Sequence, residues 1–304
     1  PDVVFVNNLY LKVYQNADLF EDLTDIIDRD DYFQNALSTL SVDGKIYAVP
    51  RDVSSFVVFY NKDIFKSANI KLTKNWTMEE FYNTAKTLKS YADYGFCTEL
   101  ELSSWENFVS TENKPPVLDD KITIYEEKSL KAIQTLSDKI NKEKIGVNKE
   151  QLALSPCAQL FLNKKTPMFI SGRWSVPKLD AQADFEYGIA PFPFGGSKYY
   201  IPLNASGWAV SKNSKYKKEA IDFVKYLSSN KNMEKYTESG LITPAKKSIA
   251  KGGFFKNGDV FINIIQTSTP NSVPKDYNVI KEELENKAVS VLGGYKSAKD
   301  AFLK

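Results

Sequence analysis

The sequence contains no histidine, and this absence excludes several kinds of chemistry at once. Histidine is the side chain that most often acts as a general base near neutral pH, and it is a common zinc ligand. Serine–histidine and cysteine–histidine nucleophile pairs are therefore excluded. We expect no catalytic residue, no metal site and no cofactor.

Cysteine is nearly as scarce, since the chain has only Cys97 and Cys157. No CxxC spacing occurs, so a thiolate metal site is not expected. Free cysteines tend to be buried, and two buried free thiols are the expectation here. A single disulfide between the two cysteines is the alternative if the chain is exported.

Long apolar runs and an excess of charge are also missing. No run approaches the roughly eighteen apolar residues that a membrane-spanning helix needs. The 40 basic residues nearly balance the 38 acidic residues, which gives a formal net charge of +2. Nucleic-acid binding requires a basic excess, so no nucleic-acid partner is expected. A length of 304 residues suffices for two ordinary domains.

The most informative stretch of the chain is residues 43–65. Lys45 to Val49 predicts a short strand, which Pro50-Arg51-Asp52 is expected to break. Ser55 to Tyr60 is an apolar run typical of a strand buried on both faces, as in a parallel sheet under helices. A strand, a polar break and a buried strand indicate a chain that crosses between two layers or domains.

Two further local patterns can be checked against a structure. Thr77 and Glu80 have the spacing of a capping box at a helix start, and the neighbouring Trp76 and Phe81 are placed as a hydrophobic staple. Trp76 is therefore expected to be structural. Tyr94 to Cys97 predicts a strand.

The stretch GKIYAVPRD…YNKDIF resembles the crossover signature of the extracellular solute-binding proteins of ABC importers, the family that includes maltose-binding protein. Other segments resemble family motifs in the family's order: PDVVFV at 1–6, NWTMEEF at 75–81, FLNKKTPMFISGRW at 161–174 and NASGWAVSK at 204–212. The ordered set spans nearly the whole chain.

This resemblance implies an α/β chain with the two-lobe periplasmic-binding-protein fold (type II) and hinge strands. Lobe I is expected at 1–56 and 204–268, and lobe II at 57–203 and 269–304. Family members carry an export signal and a strand–helix unit before the PDV strand, so we expect the N-terminal strand–helix unit of lobe I to be missing from this chain. Lobes joined by a few strands can close around a ligand by rigid-body rotation.

The function implied by the resemblance is that of a binding protein and not of an enzyme. The chain is expected to capture a sugar or oligosaccharide between its lobes and to deliver it, as a monomer, to the transmembrane subunits of an ABC permease. The alternative is a polyol phosphate or another small anion, which Arg51 and Arg173 would favour. A carbohydrate-active enzyme is a distant alternative, because it needs two carboxylates and Asp52 has no obvious partner.

The expected location also follows from the resemblance. A composition rich in lysine, asparagine, tyrosine and isoleucine is typical of a low-GC bacterium. We therefore expect an extracytoplasmic lipoprotein, anchored by lipid to the outer face of the cell membrane of a Gram-positive bacterium, or a periplasmic protein if the source is Gram-negative.

Polar candidates for ligand binding lie near the first strand and the first crossover. Asn7 and Asn8 follow the first predicted strand, where open α/β sheets place ligands, and they equally suit capping of the next turn. By the resemblance, Arg51 and Asp52 should bind hydroxyls or anionic groups. Ser54 stands where maltose-binding protein has an acidic cleft residue, so the contacts are not expected to be strictly maltose-like.

Aromatic candidates form the second group. Trp174 and Arg173 follow a glycine turn, and in the family this tryptophan stacks on the apolar face of the bound sugar. Trp208 offers a second stacking face or packs under the return strand. Trp105 either stacks on a ligand or is buried under a helix, and Tyr277 either reaches the cleft or packs at a helix start.

Overall fold

The computed structural model describes residues 1–73, 75–119, 121–194, 200–251, 258–271 and 273–304. The chain divides into two compact units. Unit 1 comprises Pro1–Ser55, Leu118–Lys121 and Pro202–Asn278, and unit 2 comprises Phe56–Val117, Ile122–Ile201 and Val279–Lys304. The last boundary between the two units lies at 278/279. The lobe boundaries expected from the sequence stay a prediction. Among the described helices, none has both the length and the apolar surface needed to cross a bilayer.

The secondary structure alternates short strands with helices along the chain. The strands are β1 (Val3–Asn7), β2 (Ser41–Val42), β3 (Lys45–Ile46), β4 (Val49–Ser54), β5 (Val57–Asn61), β6 (Val117–Leu118), β7 (Lys121–Ile122), β8 (Met168–Ser171), β9 (Tyr187–Pro191), β10 (Pro202–Val210), β11 (Thr243–Pro244) and β12 (Thr269–Pro270). The α-helices are α1 (Asn8–Asn16), α2 (Gln34–Thr39), α3 (Lys62–Ser67), α4 (Met78–Leu88), α5 (Leu102–Glu112), α6 (Glu127–Asn141), α7 (Lys149–Leu154), α8 (Cys157–Leu162), α9 (Val176–Gln182), α10 (Lys217–Leu227), α11 (Asn230–Glu238), α12 (Lys247–Lys251), α13 (Gly258–Thr267), α14 (Tyr277–Leu292) and α15 (Ala298–Phe302).

Unit 1 is built around β10, which pairs with strands on both of its edges. The sheet order is β1-β10-β4-β11, and β12 also pairs with β10. β10 runs antiparallel to β1 and β4, with Phe5 opposite Trp208 and Asn7 opposite Ser206. Val6 joins the buried core of the unit, whereas Phe5 is 43% exposed. This alternation is the two-residue period of a strand with one covered face.

The predicted break at Pro50-Arg51-Asp52 is wrong, because β4 continues through it from Val49 to Ser54. Pairing with β10 shifts at this point, so that Asp52 faces Ser206 and Pro50 faces Gly207. Arg51 is therefore the additional residue of a β-bulge. A bulge interrupts regular pairing, and it is one of the few places where a sheet accepts a proline.

Unit 2 contains a three-stranded sheet with β5 at its centre. β5 pairs antiparallel with β8 on one edge and with β9 on the other. Val57, Val58 and Phe59 are fully buried, as the apolar run predicted. The expected parallel sheet is wrong, because burial on both faces depends on the layers that cover a strand and not on the direction of its neighbours.

The helix start at Thr77 is confirmed. Thr77 Oγ accepts from the Glu80 N–H at 3.1 Å, and Glu80 Oε2 accepts from the Thr77 N–H at 2.7 Å. Trp76 is buried, lies 5.6 Å from the Phe81 ring and donates from Nε1 to the Pro191 carbonyl. The strand predicted from Tyr94 to Cys97 is wrong. Phe96 and Cys97 form single bridges to two different partners, so no ladder forms.

Cys97 and Cys157 form a disulfide within unit 2, with a Cα–Cα distance of 5.5 Å. The expectation of two free thiols is therefore wrong, and the alternative stated for an exported chain holds. Cys157 begins α8, and the Cys97 backbone bridges to Phe169 in β8. The bond thus ties α8 to the loop beside the sheet. A structural disulfide is typical of chains that reside in an oxidising compartment.

The disulfide generates the first prediction. It spans 60 positions of chain, and closing a loop of that length is expected to contribute about 4 kcal/mol by restricting the unfolded state. The double variant Cys97→Ala, Cys157→Ala should therefore unfold at a clearly lower urea concentration, followed by tryptophan fluorescence. Dithiothreitol should lower the midpoint of the natural chain and leave that of the double variant unchanged. Equal midpoints for the natural chain with and without reductant would contradict the prediction.

Glu106 generates the second prediction. It lies in the buried helix α5, and burial raises the pKa of its carboxyl from 4.5 to about 8. The folded chain keeps this proton where the unfolded chain releases it, so stability falls as pH rises from about 4.5 to about 8. At about pH 8 the free energy of unfolding is lowered by on the order of 4 kcal/mol.

Urea unfolding at several pH values checks this behaviour. Glu106→Gln should flatten the dependence and be more stable than the natural chain at pH 8. Glu101→Gln, at an exposed carboxyl just before α5, serves as the control and should leave the curve unchanged. A curve for Glu106→Gln that parallels that of the natural chain would rule out Glu106 as the cause.

Candidate ligand-binding site

The bulge in β4 brings the Arg51 and Asp52 side chains together. In a regular strand successive side chains point to opposite faces, but a bulge re-aims the additional residue. Arg51 Nε donates to Asp52 Oδ1 at 2.9 Å, and both side chains are largely buried. Burial raises the pKa of Asp52, and the nearby Arg51 only partly offsets that increase. The bulge therefore places a guanidinium and a carboxylate side by side.

Arg51 also lies against an aromatic group, which consists of Phe5, Trp208 and Tyr236. Its guanidinium carbon is 4.3 Å from the Phe5 ring centroid and 5.7 Å from that of Tyr236. Phe5 in turn lies 4.8 Å from Trp208. Cations are attracted to aromatic faces at these distances. The guanidinium is thus fixed within unit 1, and its two Nη groups take no part in a hydrogen bond between described residues.

The two asparagines after β1 are engaged by the protein itself. Asn7 caps α1, since its Oδ1 accepts from the Leu9 N–H at 2.9 Å, and its Nδ2 donates to Ser206 Oγ. Asn8 is buried, accepts from the Ala205 N–H and donates to the Asn271 carbonyl. The Asn7 contact matches the capping alternative, whereas Asn8 bonds to distant backbone groups and caps no turn. Ligand binding by Asn7 and Asn8 stays a prediction.

Ser54 ends β4 opposite Asn204 and is half-buried. It lies two residues beyond Asp52 in the same strand. Trp208 is half-buried, and its Nε1 is buried without an acceptor among the described residues. A contact between either residue and a ligand stays a prediction.

In unit 2, Trp174 presents an indole to solvent. It lies in a single 3-10 turn, Arg173–Ser175, directly after β8, and 45% of it is exposed. The edge of the indole packs on Phe56, with ring centroids 5.3 Å apart. A Cβ atom added at Gly172 would collide with the six-membered ring of Trp174. Glycine is therefore required beneath this indole, which is supported from below and open above.

Arg173 does not share the exposure of Trp174. Only 2% of it is accessible, and burial lowers its pKa to about 10, while Tyr187 and Asp180 act in the opposite direction. Tyr187 Oη donates to Asp180 Oδ1 at 2.6 Å. Arg173 stays protonated at neutral pH, and it is a buried cation next to an acid–tyrosine pair. Ligand binding by Arg173 stays a prediction.

Trp105 and Tyr277 are both buried. Trp105 lies within α5, which packs on α6, and this matches the alternative of burial under a helix. Tyr277 begins α14, which matches the alternative of packing at a helix start. Neither ring offers a stacking surface in this structure, and their contact with a ligand stays a prediction.

Sequence reasoning missed three side chains that complete these surfaces: Phe5, Phe56 and Tyr236. The alternation of the exposed Phe5 with the buried Val6 along β1 was available as a signal. No local pattern indicates Phe56 or Tyr236, because each meets its partner only through the fold. Among the described residues, no group of three or more acidic or cysteine side chains could hold a metal ion.

Comparison with known proteins agrees with this architecture. Residues 1–261 match the family described as bacterial extracellular solute-binding protein. A multiple sugar-binding protein of Streptococcus mutans is 25% identical over 259 residues, which are 78% of this chain and 60% of the relative. An sn-glycerol-3-phosphate-binding periplasmic protein of Brucella melitensis is 27% identical over 295 residues, with 86% and 66% coverage. The chain thus spans between one half and two thirds of the length of such curated relatives.

A solved structure shows the same fold. The ABC substrate-binding protein of Listeria monocytogenes in complex with cycloalternan superimposes with a TM-score of 0.88, at 22% identity, over 99% of this chain and 82% of that one. The chain has the mixed α/β, two-lobe periplasmic-binding-protein fold. With six sevenths of its length matched, it belongs to the bacterial extracellular solute-binding protein family.

Proposed function

We propose that this chain is the sugar-binding component of an ABC importer and captures a sugar or oligosaccharide for its permease. The observation that carries this proposal is the indole of Trp174, which is seated on Gly172 and Phe56 and open to solvent. An aromatic plane matches the apolar C–H face of a pyranose ring. Relatives named as multiple sugar-binding and galactooligosaccharide-binding proteins support the same ligand class.

The polar contribution comes from Arg51 and Asp52. A sugar hydroxyl both donates and accepts, and the adjacent guanidinium and carboxylate offer one partner of each kind. The pair is held by the bulge and by the aromatic group, so little side-chain freedom is lost on binding. Capture requires no bond to be made or broken, and the family and its relatives are binding proteins. In the two-lobe class, closure of the lobes around the ligand is the expected means of capture.

The cellular setting is part of the proposal. The disulfide supports an oxidising, extracytoplasmic location, and the family is described as extracellular. We infer a lipid-anchored monomer that meets the transmembrane subunits of its permease outside the cell membrane. Sedimentation of the chain as a dimer would contradict the proposal that it is a monomer.

Removal of the Trp174 indole is the third prediction. Trp174→Ala should weaken binding of the best neutral sugar by roughly 10- to 100-fold, because an aromatic anchor supplies a large share of contact energy. The ligand is first found by thermal shift across neutral mono- and oligosaccharides, since a hundredfold excess over Kd adds about 2.7 kcal/mol of stability. Isothermal titration calorimetry then measures the affinity.

Tyr91→Ala is the matched control for this experiment. Tyr91 lies in the same unit and is 48% exposed. Its substitution therefore removes a similarly exposed aromatic ring at a different position in unit 2. It should leave the sugar affinity unchanged. If both variants bind like the natural chain, the indole is not the stacking surface and the proposal loses its main support.

A polyol phosphate or another small anion is the second candidate ligand for the same site. It is favoured by the two Nη groups of Arg51, and a relative is named for sn-glycerol-3-phosphate. In the fourth prediction, Arg51→Leu weakens binding of glycerol 3-phosphate at this site far more than that of a neutral sugar, which falls by about tenfold or less. Calorimetry with both compounds on both proteins decides between the candidates. Absence of glycerol phosphate binding by the natural chain removes the anion candidate.

A further inference from the structure

The disulfide of unit 2 lies beside the strand that leads into the Trp174 turn. Cys97 runs along the outer edge of β8, because its N–H donates to the Met168 carbonyl and its carbonyl accepts from the Ile170 N–H, both at 2.9 Å. β5 occupies the other edge of β8. The strand is therefore held on both edges up to Ile170, which lies two positions before Gly172.

Cys157 is the first residue of α8, a helix that packs on both elements flanking the turn. Phe161 of α8 and Phe169 of β8 have their ring centroids 4.7 Å apart. Gln159 Oε1 of α8 accepts from Lys178 Nζ of α9 at 3.3 Å. The turn lies between β8 and α9 in the chain, so α8 contacts the elements that hold both ends of the turn.

The disulfide closes these contacts into a ring within unit 2. It joins the Cys97 segment to α8, α8 packs on β8, and β8 bonds back to the Cys97 backbone. A hydrogen bond from the Cys157 N–H to Glu99 Oε1, at 2.9 Å, links the same two segments. The net contribution of one hydrogen bond is small, so the covalent bond is what fixes α8 against the edge of β8.

The Trp174 indole depends on this framework more than a core ring would, because nearly half of it is exposed. A buried ring is fixed by neighbours on all sides, whereas this one packs by its edge on Phe56 and over the backbone at Gly172. A shift of the turn, in which Ser171 Oγ and Ser175 Oγ lie 2.8 Å apart, therefore moves the ring. Binding that must first order a loose ring is weaker than binding to a pre-organised one.

We infer that the Cys97–Cys157 disulfide is a positioning device for sugar binding, which holds the end of β8 and the following turn so that the Trp174 indole keeps the orientation that stacking requires. The two cysteines touch no ligand and act through the indole. The inference rests on the proposed function for its ligand, whereas the position of the ring can be measured without one. Since the bond forms only where thiols oxidise, full sugar affinity follows oxidation of the chain.

Heteronuclear NMR of the tryptophan indole N–H groups tests the position of the ring without a ligand. The double variant Cys97→Ala, Cys157→Ala should displace the Trp174 signal, which is identified by its loss in Trp174→Ala. The signal of Trp76, a buried ring of the same unit, should stay in place. Leu136→Ala is the control for lost stability, because it opens a cavity at a buried position of α6. It should leave the Trp174 signal unchanged.

The spectra are compared at a temperature at which circular dichroism shows every variant folded. If the alanine pair does not fold, Cys97→Val, Cys157→Ala takes its place. The valine fills more of the buried space, and a buried cysteine behaves as a small apolar side chain.

Calorimetry with the neutral sugar that gives the largest thermal shift then shows whether the disulfide acts through the indole. Removal of the disulfide should weaken binding roughly 3- to 10-fold in the natural chain. In the Trp174→Ala background it should weaken binding by less than about twofold, because the ring that it positions is gone. Leu136→Ala should bind the sugar like the natural chain.

Three results would overturn the inference: an unchanged Trp174 signal in the folded chain without the disulfide, an equal displacement of that signal in Leu136→Ala, or the same loss of sugar affinity with and without the indole. Failure of the proposed function looks different. In that case Trp174→Ala binds the sugar like the natural chain, while removal of the disulfide still displaces the Trp174 signal.

Discussion

The pairing of β10 on both edges is the constraint on which unit 1 depends. This nine-residue strand fixes the register of β1 and β4, so it decides which side chains of three strands share a face. Phe5 meets Trp208 and Asn7 meets Ser206 as direct cross-strand neighbours. The register shift at Ser206/Gly207 forces the bulge, and the bulge turns Arg51 towards Asp52 and Phe5. The polar site is thus a consequence of sheet register and not of a loop.

Unit 2 positions its candidate ligand-binding side chain, the indole of Trp174, by a turn at the end of a strand and not by a bulge. Val57, Val58 and Phe59 of β5 are fully buried between β8 and β9, and β8 stops just before Gly172. The turn that follows must bring an indole back over the backbone, which only glycine permits at this position. Arg173, buried beside Tyr187 and Asp180, anchors the same turn from inside. A rigid strand end and a buried cation therefore hold the exposed ring, and such pre-organisation lowers the entropic cost of binding.

Local signals predicted local features well, and features that depend on distant pairing were not predictable. The capping box at Thr77 and the burial of Trp76 follow from residues within a few positions, and both are confirmed. The bulge at Arg51 depends on pairing with β10, about 155 positions later in the chain. From the local sequence alone, Pro50 therefore predicted a break in the strand. The pairing of Cys97 with Cys157 and the burial of Arg173 likewise require the folded sheet. The family resemblance predicted the fold, because members of a family share the same long-range strand pairings.

The electrostatics of the Arg51–Asp52 pair orders the two candidate ligand classes. While Asp52 is ionised it cancels the charge of Arg51, so the pair presents one donor and one acceptor group with no net charge, which suits neutral hydroxyls better than an anion. Burial raises the pKa of Asp52, because the desolvation of its carboxylate outweighs the attraction of Arg51. As pH falls through that raised pKa, Asp52 gains a proton and the charge of Arg51 is no longer cancelled. Anion affinity should therefore increase as the pH falls through that pKa, while sugar affinity changes less, so the ionised pair favours a sugar and the protonated pair an anion.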